Sequence, residues 1–238
     1  MMRGDADPPR SPGWLRSPYT TAAWVALAVF LVVTLLFELR LLAGLDAAVR
    51  AGRGEIASPL LRWWSTGAFL LGLPISALFF SGIAAVLLWR QGLGWWSLTP
   101  LAFLAPTLLE MGFKLLFHPS QTAVSIRLTR RLLPVIELPG SYPSGHAIRA
   151  AFLCAFLAVL LLHRGGRWER WWAAILGVLA VLIGFGRVYG GQHLLSEVVA
   201  GLLLGAAAAL LAAPPVARRL FGRGRGEGLE PPIPARRE

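Results

Sequence analysis

The sequence has few cysteines, lysines and acidic residues: one Cys, one Lys, and 12 Asp and Glu among 238 residues. The single cysteine, Cys154, excludes an internal disulfide framework and lies in an apolar segment, as a small core residue would. Charged residues make up 15% of the chain and hydrophobic residues 56%. An average soluble domain has about 25% and 45–50%. The composition therefore indicates a surface that faces lipid.

The charges that are present are mostly positive, with 23 Lys and Arg and a formal net charge of +11. The arginines cluster in short loops and tails between apolar segments, which favours anionic lipid headgroups and topological anchoring as their role. No basic face is interleaved with aromatic residues, so we expect no nucleic-acid partner. Nothing in the sequence fixes an oligomeric state.

The apolar segments are long and uninterrupted, which predicts spanning helices rather than strands. We therefore predict an all-α protein, a six-transmembrane-helix bundle. Its spans are expected near 21–43, 66–90, 95–117, 147–163, 171–189 and 194–213. Residues 1–20 are predicted to form a disordered tail, 21–213 the membrane domain and 214–238 a basic tail rich in Pro, Gly and Arg. The distribution of arginines places both termini on the inner side.

Span parity then brings four groups from distant parts of the sequence to the outer membrane boundary. The third span starts inside near Trp95, and Lys114 follows about 28 Å later along a helix. The fourth span begins at the outer side with the segment that contains His146. The fifth ends there near Arg187, and the sixth begins there at His193.

The residue types at these span ends suit phosphate chemistry. Ser144 is a good N-cap residue, Gly145 permits close approach of a ligand, and the first free N–H groups of a helix can hold an anion. His146 lies in that first turn and can donate a proton to a leaving oxygen. Glu197 follows His193 at i+4, where its carboxylate can orient the ring. His193 is therefore the better candidate nucleophile.

Two further cations have both a catalytic and a structural interpretation. Arg187 can neutralise phosphate oxygens with a bidentate fork, and Lys114 can act as a point charge. Arg187 could instead be only an anchor, and Lys114 could snorkel to the interface, paired with Glu110 at i−4. Glu110 is expensive within a bilayer, so we expect it to be either a structural partner of Lys114 or a group on a transport pathway.

At these residues the sequence resembles the type 2 phosphatidic acid phosphatase family, whose soluble relatives include vanadium haloperoxidases. The family pattern is Lys-x6-Arg-Pro, then Pro-Ser-Gly-His, then Ser-Arg-x5-His-x3-Asp. The second part is complete at residues 143–146, and the third lies at 186–197 with Gly in place of Ser and Glu in place of Asp. The resemblance covers about residues 66–213, and the order of the motifs agrees with it.

The resemblance implies a role for each matching residue. His193 would attack phosphorus to form a phosphohistidine, Glu197 would stand where the family has Asp, and His146 would protonate the leaving group. The residues expected to bind the phosphoryl oxygens are Lys114, Ser144, Gly145 and Arg187. The family implies no metal and no cofactor, and no residues here have convincing metal-ligand spacing.

The first part of the pattern departs from the family, because Gln121 and Thr122 stand where Arg and Pro are expected. One phosphate-binding arginine is therefore missing. Our hypothesis is that Arg149, three residues after His146 on the same helical face, supplies the lost charge. It could instead be a snorkelling anchor. The other arginines that could supply the charge lie between spans three and four: Arg127, Arg130 and Arg131.

We expect hydrolysis of a lipid phosphate or diphosphate, of the undecaprenyl diphosphate or phosphatidate type. The site would lie at the outer face of the inner (plasma) membrane of a bacterial cell. Relatives that transfer a phosphorylated headgroup use the same two histidines, so a lipid headgroup phosphotransferase is the first alternative. A non-catalytic lipid-phosphate binding or transport protein is the second.

Overall fold

The computed structural model describes residues 17–55, 58–116 and 141–222, and all regular structure in these ranges is helical. The helices are, in chain order, α1 (Pro18–Glu38), α2 (Ala43–Glu55), α3 (Pro59–Leu71), α4 (Pro74–Arg90), a 3-10 helix (Gly94–Phe103), α5 (Leu104–Leu116), α6 (Gly145–Arg164), α7 (Arg167–Tyr189) and α8 (Leu195–Phe221). The all-α prediction is therefore confirmed for the described residues.

Four of these helices are each long and apolar enough to cross a membrane: α1, α6, α7 and α8. They correspond to the predicted first, fourth, fifth and sixth spans. Helices α3 and α4 meet the same criterion only when taken together, and they are bent by 63°. The predicted third span, 95–117, is divided between the 10-residue 3-10 helix and the 13-residue α5. The count of six spans therefore stays a prediction.

The predicted second span, 66–90, is wrong as a continuous helix, because the chain breaks between α3 and α4. Pro74 is the first residue of α4. In a continuous helix its ring would collide with the carbonyl of Leu70, and it has no N–H to donate to that carbonyl. The Leu70 carbonyl accepts a hydrogen bond from the Ser76 hydroxyl at 2.6 Å instead. The break also leaves the Gly72 carbonyl free for a side chain from another helix.

The predicted boundaries of both tails also differ from the structure. Ser17 caps α1, so residues 17–20 belong to the first helix and not to the tail. At the other end, α8 continues through Pro214 and Pro215 to Phe221. The extra turns are stabilised by tertiary contacts, since Val216 is buried in the core and the Arg219 guanidinium lies 4.2 Å from the ring centroid of Trp96.

Helices α6, α7 and α8 form the centre of the molecule, and α6 packs against both of the others. Half of the residues of α6 are buried. Most side chains of α1 are exposed and apolar, as expected of a helix that faces lipid. The sequence did not predict α2, which contacts α8 near its N-terminal end. The buried Asp46 of α2 holds that contact by accepting hydrogen bonds from the Ser196 N–H at 3.0 Å and the Ser196 hydroxyl at 2.6 Å.

Candidate active site

The predicted pairing of His193 with Glu197 is confirmed. His193 lies in the turn before α8, and its Nδ1 is 2.8 Å from Oε2 of Glu197. The same oxygen accepts a hydrogen bond from the Leu194 N–H at 3.1 Å, and Oε1 accepts one from the Ser141 hydroxyl. Glu197 is completely buried. Because Nδ1 is bound to the carboxylate, Nε2 is the ring nitrogen left for reaction.

The protonation of His193 follows from its surroundings. Burial lowers the pKa of His193, and this effect exceeds the opposing one of the Glu197 carboxylate, which raises the pKa. The ring is therefore neutral at pH 7, and a neutral Nε2 has the lone pair that a nucleophile needs.

The turn between α7 and α8 fixes His193 relative to Arg187. The Arg187 carbonyl accepts hydrogen bonds from the N–H groups of Gln192 and His193, at 3.1 and 3.3 Å. The turn passes through Gly191 with φ +71°, a left-handed conformation that glycine adopts without strain. The backbone itself therefore keeps the candidate nucleophile close to the candidate phosphate-binding arginine.

The N-terminus of α6 presents two buried polar atoms without a partner. Ser144 occupies the N-cap position as predicted, and its N–H donates to the Glu197 carbonyl at 2.9 Å. Its hydroxyl does not cap the helix, however. That hydroxyl and Nε2 of His146 have no hydrogen-bond partner among the described residues. A buried polar group left unpaired costs about 1–3 kcal/mol, so both atoms are suited to binding a ligand.

Arg187 and His146 both pack on Phe69 of α3, and His193 lies beside His146. Arg187 is buried, and its Nε and Nη1 have no partner among the described residues. Its Cζ lies 5.1 Å from the ring centroid of Phe69, which also stacks on His146 at 5.4 Å. The ring centroids of His146 and His193 are 6.4 Å apart. Arg187 therefore has free guanidinium donors beside both histidines, which an anchor at the interface would not have.

Glu110 is the shared partner of Lys114 and Arg149. The Lys114 ammonium donates to Oε1, and Nη1 of Arg149 lies 3.1 Å from Oε2. Nε of Arg149 donates to the Gly72 carbonyl at 2.8 Å, the carbonyl that the break before α4 leaves free. A side chain at Gly145 would overlap the Glu110 carboxylate, so glycine is needed there for a close approach. Glu110 is therefore a structural partner of Lys114, one of its two predicted roles.

This arrangement also bears on the missing arginine. Arg149 is only 4% exposed, so it is not a snorkelling anchor. Its direct contact with phosphate stays a prediction, because Nη1 is engaged by Glu110 and Nε by the Gly72 carbonyl. The remaining residues of that hypothesis lie outside the described part of the chain: Gln121, Thr122, Arg127, Arg130 and Arg131.

The structure brings together the predicted site residues that lie in its described ranges, and their roles stay predictions. These residues are Lys114, Ser144, Gly145, His146, Arg149, Arg187, His193 and Glu197. The contacts above connect them in one group at the N-terminal ends of α6 and α8. The sequence did not reveal Phe69 or Ser141, since each joins the group through a contact between elements and neither belongs to a motif.

The comparisons with known proteins agree with this geometry. A family model described as the PAP2 superfamily matches residues 101–220, half of the 238 residues, so the chain belongs to the PAP2 superfamily. Phosphatidylglycerophosphatase B of Bacillus subtilis (strain 168) is 36% identical over 74 residues, which are 30% of this chain and 36% of the relative. The match thus spans about a third of that curated relative.

A solved structure shares the fold. It is the crystal structure of a transmembrane PAP2 type phosphatidylglycerolphosphate phosphatase from Bacillus subtilis, with a TM-score of 0.65 and 23% sequence identity. The similarity covers 87% of this chain and 99% of that chain. Together with the apolar helices, this fold makes the chain an integral membrane protein.

Proposed function

We propose that this protein is a lipid-phosphate phosphatase that works through a phosphohistidine on His193. The observation that carries the proposal is the buried hydrogen bond between Nδ1 of His193 and Glu197. It leaves Nε2 as the nucleophilic nitrogen, in a ring that faces His146 and the unpaired donors of Arg187. A non-catalytic binding site would have no need of such an oriented pair.

The reaction has two steps. In the first, Nε2 of His193 attacks phosphorus, the bond from phosphorus to the leaving oxygen breaks, and His146 gives that oxygen a proton. In the second, water attacks the phosphohistidine and gives a proton to His146. The P–N bond breaks, its electron pair returns to Nε2 of His193, and inorganic phosphate leaves with the oxygen of that water. Each residue returns to its starting state.

The transferred phosphoryl group would be held by unpaired donors. Arg187 offers Nε and Nη1, Ser144 offers its hydroxyl, and the first N–H groups of α6 have no side-chain cap and are available to an anion. These donors stabilise the negative charge of the oxygens as the P–O bond breaks. Such positioning and charge stabilisation account for most catalysis of phosphoryl transfer.

The substrate is a lipid, because the site lies at the ends of helices whose outer surfaces are apolar. Undecaprenyl diphosphate and phosphatidate-type lipids are the candidate classes from the sequence. The name of the Bacillus subtilis relative adds phosphatidylglycerophosphate. We place the site at the outer face of the plasma membrane of a bacterial cell, with six spans and both termini inside, on the distribution of arginines.

Trapping the covalent intermediate tests this mechanism. The purified full-length protein is incubated briefly with a lipid phosphate labelled in its terminal phosphoryl group and quenched in alkali, in which a phosphohistidine survives. We expect label on the wild type that is released by acid, and no label on His193→Ala. Turnover or labelling retained by that variant would contradict the mechanism. The control variant, Arg62→Gln, changes an exposed residue of α3 outside the site.

The same preparation tests His146 as the proton donor. The variant His146→Ala should slow release of a lipid alcohol far more than release of a good leaving group such as nitrophenol, because nitrophenol needs no proton.

Analysis of the products separates hydrolysis from transfer. With candidate acceptor alcohols present, free phosphate as the main product supports the phosphatase. A phosphorylated acceptor would instead support the phosphotransferase.

A further inference from the structure

Two arginines of α2 line a cleft that reaches His193. Arg50 and Arg53 form part of one wall, and Val188, Gly191 and His193 form part of the other. Arg187, Ser144 and His146 do not line this cleft. The cleft therefore adjoins the candidate nucleophile from the α2 side.

The side chain of Arg53 packs against the turn between α7 and α8. Its guanidinium lies directly against Gly191, so close that any side chain at that position would overlap it. Gly191 has φ +71° and is two residues before His193 in the turn that carries the nucleophile. The half-buried Arg53 is thus packed on the backbone of the catalytic turn instead of extending into solvent.

The cleft carries two positive charges without an ion-pair partner among the described residues. Neither Arg50 nor Arg53 forms an ion pair with any residue in the described ranges. Asp46 lines the same cleft, but it is only 5% exposed and both of its oxygens accept hydrogen bonds from Ser196. Two arginines therefore line the cleft, and neither has a carboxylate partner in the part of the chain that the structure describes.

The hydrogen bonds of Asp46 also fix the position of α2. Ser196 is the residue before Glu197, so they attach α2 to the same turn of α8 that orients His193. Arg53 is two helical turns from Asp46, about 10 Å along α2. The helix that carries the arginines is therefore held in place by these bonds, and the Arg53 side chain packs on Gly191, which lowers the entropy cost of binding.

We propose that Arg50 and Arg53 form a second anion subsite, which binds a phosphate of the substrate other than the one transferred to His193. The inference rests on the proposed phosphatase function and narrows its substrate. It assigns the protein to lipids with two phosphate groups, either a diphosphate or a phosphodiester joined to a terminal phosphomonoester. A guanidinium fork suits either group, since both present paired oxygens.

Matched pairs of substrates with one and two phosphates test the subsite. The full-length protein is assayed with farnesyl phosphate against farnesyl diphosphate, and with phosphatidate against diacylglycerol diphosphate. For Arg53→Gln we expect the ratio of kcat/KM for two phosphates to that for one to fall about tenfold, as for loss of a charge-assisted hydrogen bond. The double variant with Arg50→Gln should lower it further. Arg62→Gln should leave the ratio unchanged.

Two results would overturn the subsite. If Arg53→Gln lowers kcat/KM equally for both members of a pair, the ratio stays constant and Arg53 serves the transferred phosphate or the fold. If kcat/KM changes for neither member of a pair, the cleft does not bind the substrate. Binding of farnesyl diphosphate to His193→Ala, with and without Arg53→Gln, gives a readout independent of turnover, and equal affinity would also overturn it. Failure of the phosphatase proposal is distinct, because then the wild type hydrolyses no member of either pair.

Discussion

The replacement Glu197→Gln tests the central pair of the site most directly. The Glu197 carboxylate accepts hydrogen bonds from His193, from the Leu194 N–H and from the Ser141 hydroxyl. Glutamine has nearly the same size, and its amide oxygen can face His193 and Leu194. Its NH2 group can then face Ser141, whose hydroxyl is able to accept. The variant should therefore fold while the carboxylate charge beside the nucleophile is removed.

The magnitude follows from that lost charge. The imidazole gains positive character as Nε2 bonds to phosphorus, and a buried carboxylate at 2.8 Å from Nδ1 stabilises it. A hydrogen bond to a charged group is worth about 1.5–3 kcal/mol. If that much is lost in the transition state, kcat falls about 10- to 150-fold. The KM should change little, because Glu197 does not contact the substrate.

Phosphate release and thermal unfolding, measured on the same preparations, check this expectation. Glu197→Gln should lower kcat while Tm stays within a few degrees of the wild type. The comparison variant, Glu197→Ala, removes the carboxylate that accepts from all three donors and should lower both quantities. A kcat for Glu197→Gln within twofold of the wild type would refute the orienting role. A fall in Tm as large as that of Glu197→Ala would indicate that Glu197 has a purely structural role.

Three further predictions follow from the same geometry. Ser144→Ala should lower kcat/KM for lipid phosphate without lowering Tm, since its buried hydroxyl makes no hydrogen bond to the described residues; phosphate release and thermal unfolding check this. Glu110→Gln should destabilise the fold by about 3–5 kcal/mol, because it breaks a buried ion pair, and denaturant or thermal unfolding measures the loss. The acid limb of kcat/KM that reports His193 should lie below its ordinary pKa of about 6.5, since burial lowers that pKa. Glu197→Gln should move the limb to still lower pH, because the carboxylate raises the pKa; a limb that moves up would contradict the assignment.

Hydropathy and span parity predicted the helices and the end of the bundle where the site lies. The long apolar segments correspond to α1, α6, α7 and α8, since length and apolar composition are local properties of the chain. The break before Pro74 and the short helix α2 were not predicted. The first was hidden within a continuous apolar run. The second has too little apolar sequence to register as a span, and its position depends on one buried carboxylate, Asp46.

The catalytic pairs were predictable to the extent that they are local in sequence. The i+4 spacing of His193 and Glu197 predicted their contact, and the hydrogen bond forms although His193 lies in the turn before α8 and not in the helix. The contact of Phe69 with both Arg187 and His146 depends instead on how α3 packs against α7 and α6. No pattern within α3 distinguishes Phe69 from its apolar neighbours. The sequence thus predicts the reacting groups better than it predicts the groups that hold them.

The buried site carries less positive charge than the negative charge that a substrate with two phosphates brings. Such a substrate therefore needs further cations from outside the site. Three cations, Lys114, Arg149 and Arg187, face two carboxylates, Glu110 and Glu197, which leaves one net positive charge. A phosphomonoester brings a charge of about −1.5 to −2 at pH 7. A substrate with a second phosphate brings more, and burying that charge unpaired is costly. The arginine that is missing from the first motif would have added one positive charge and reduced this shortage. Arg50 and Arg53 of α2, which have no ion-pair partner among the described residues, line the cleft beside His193, and on our proposal they supply this charge to the second phosphate.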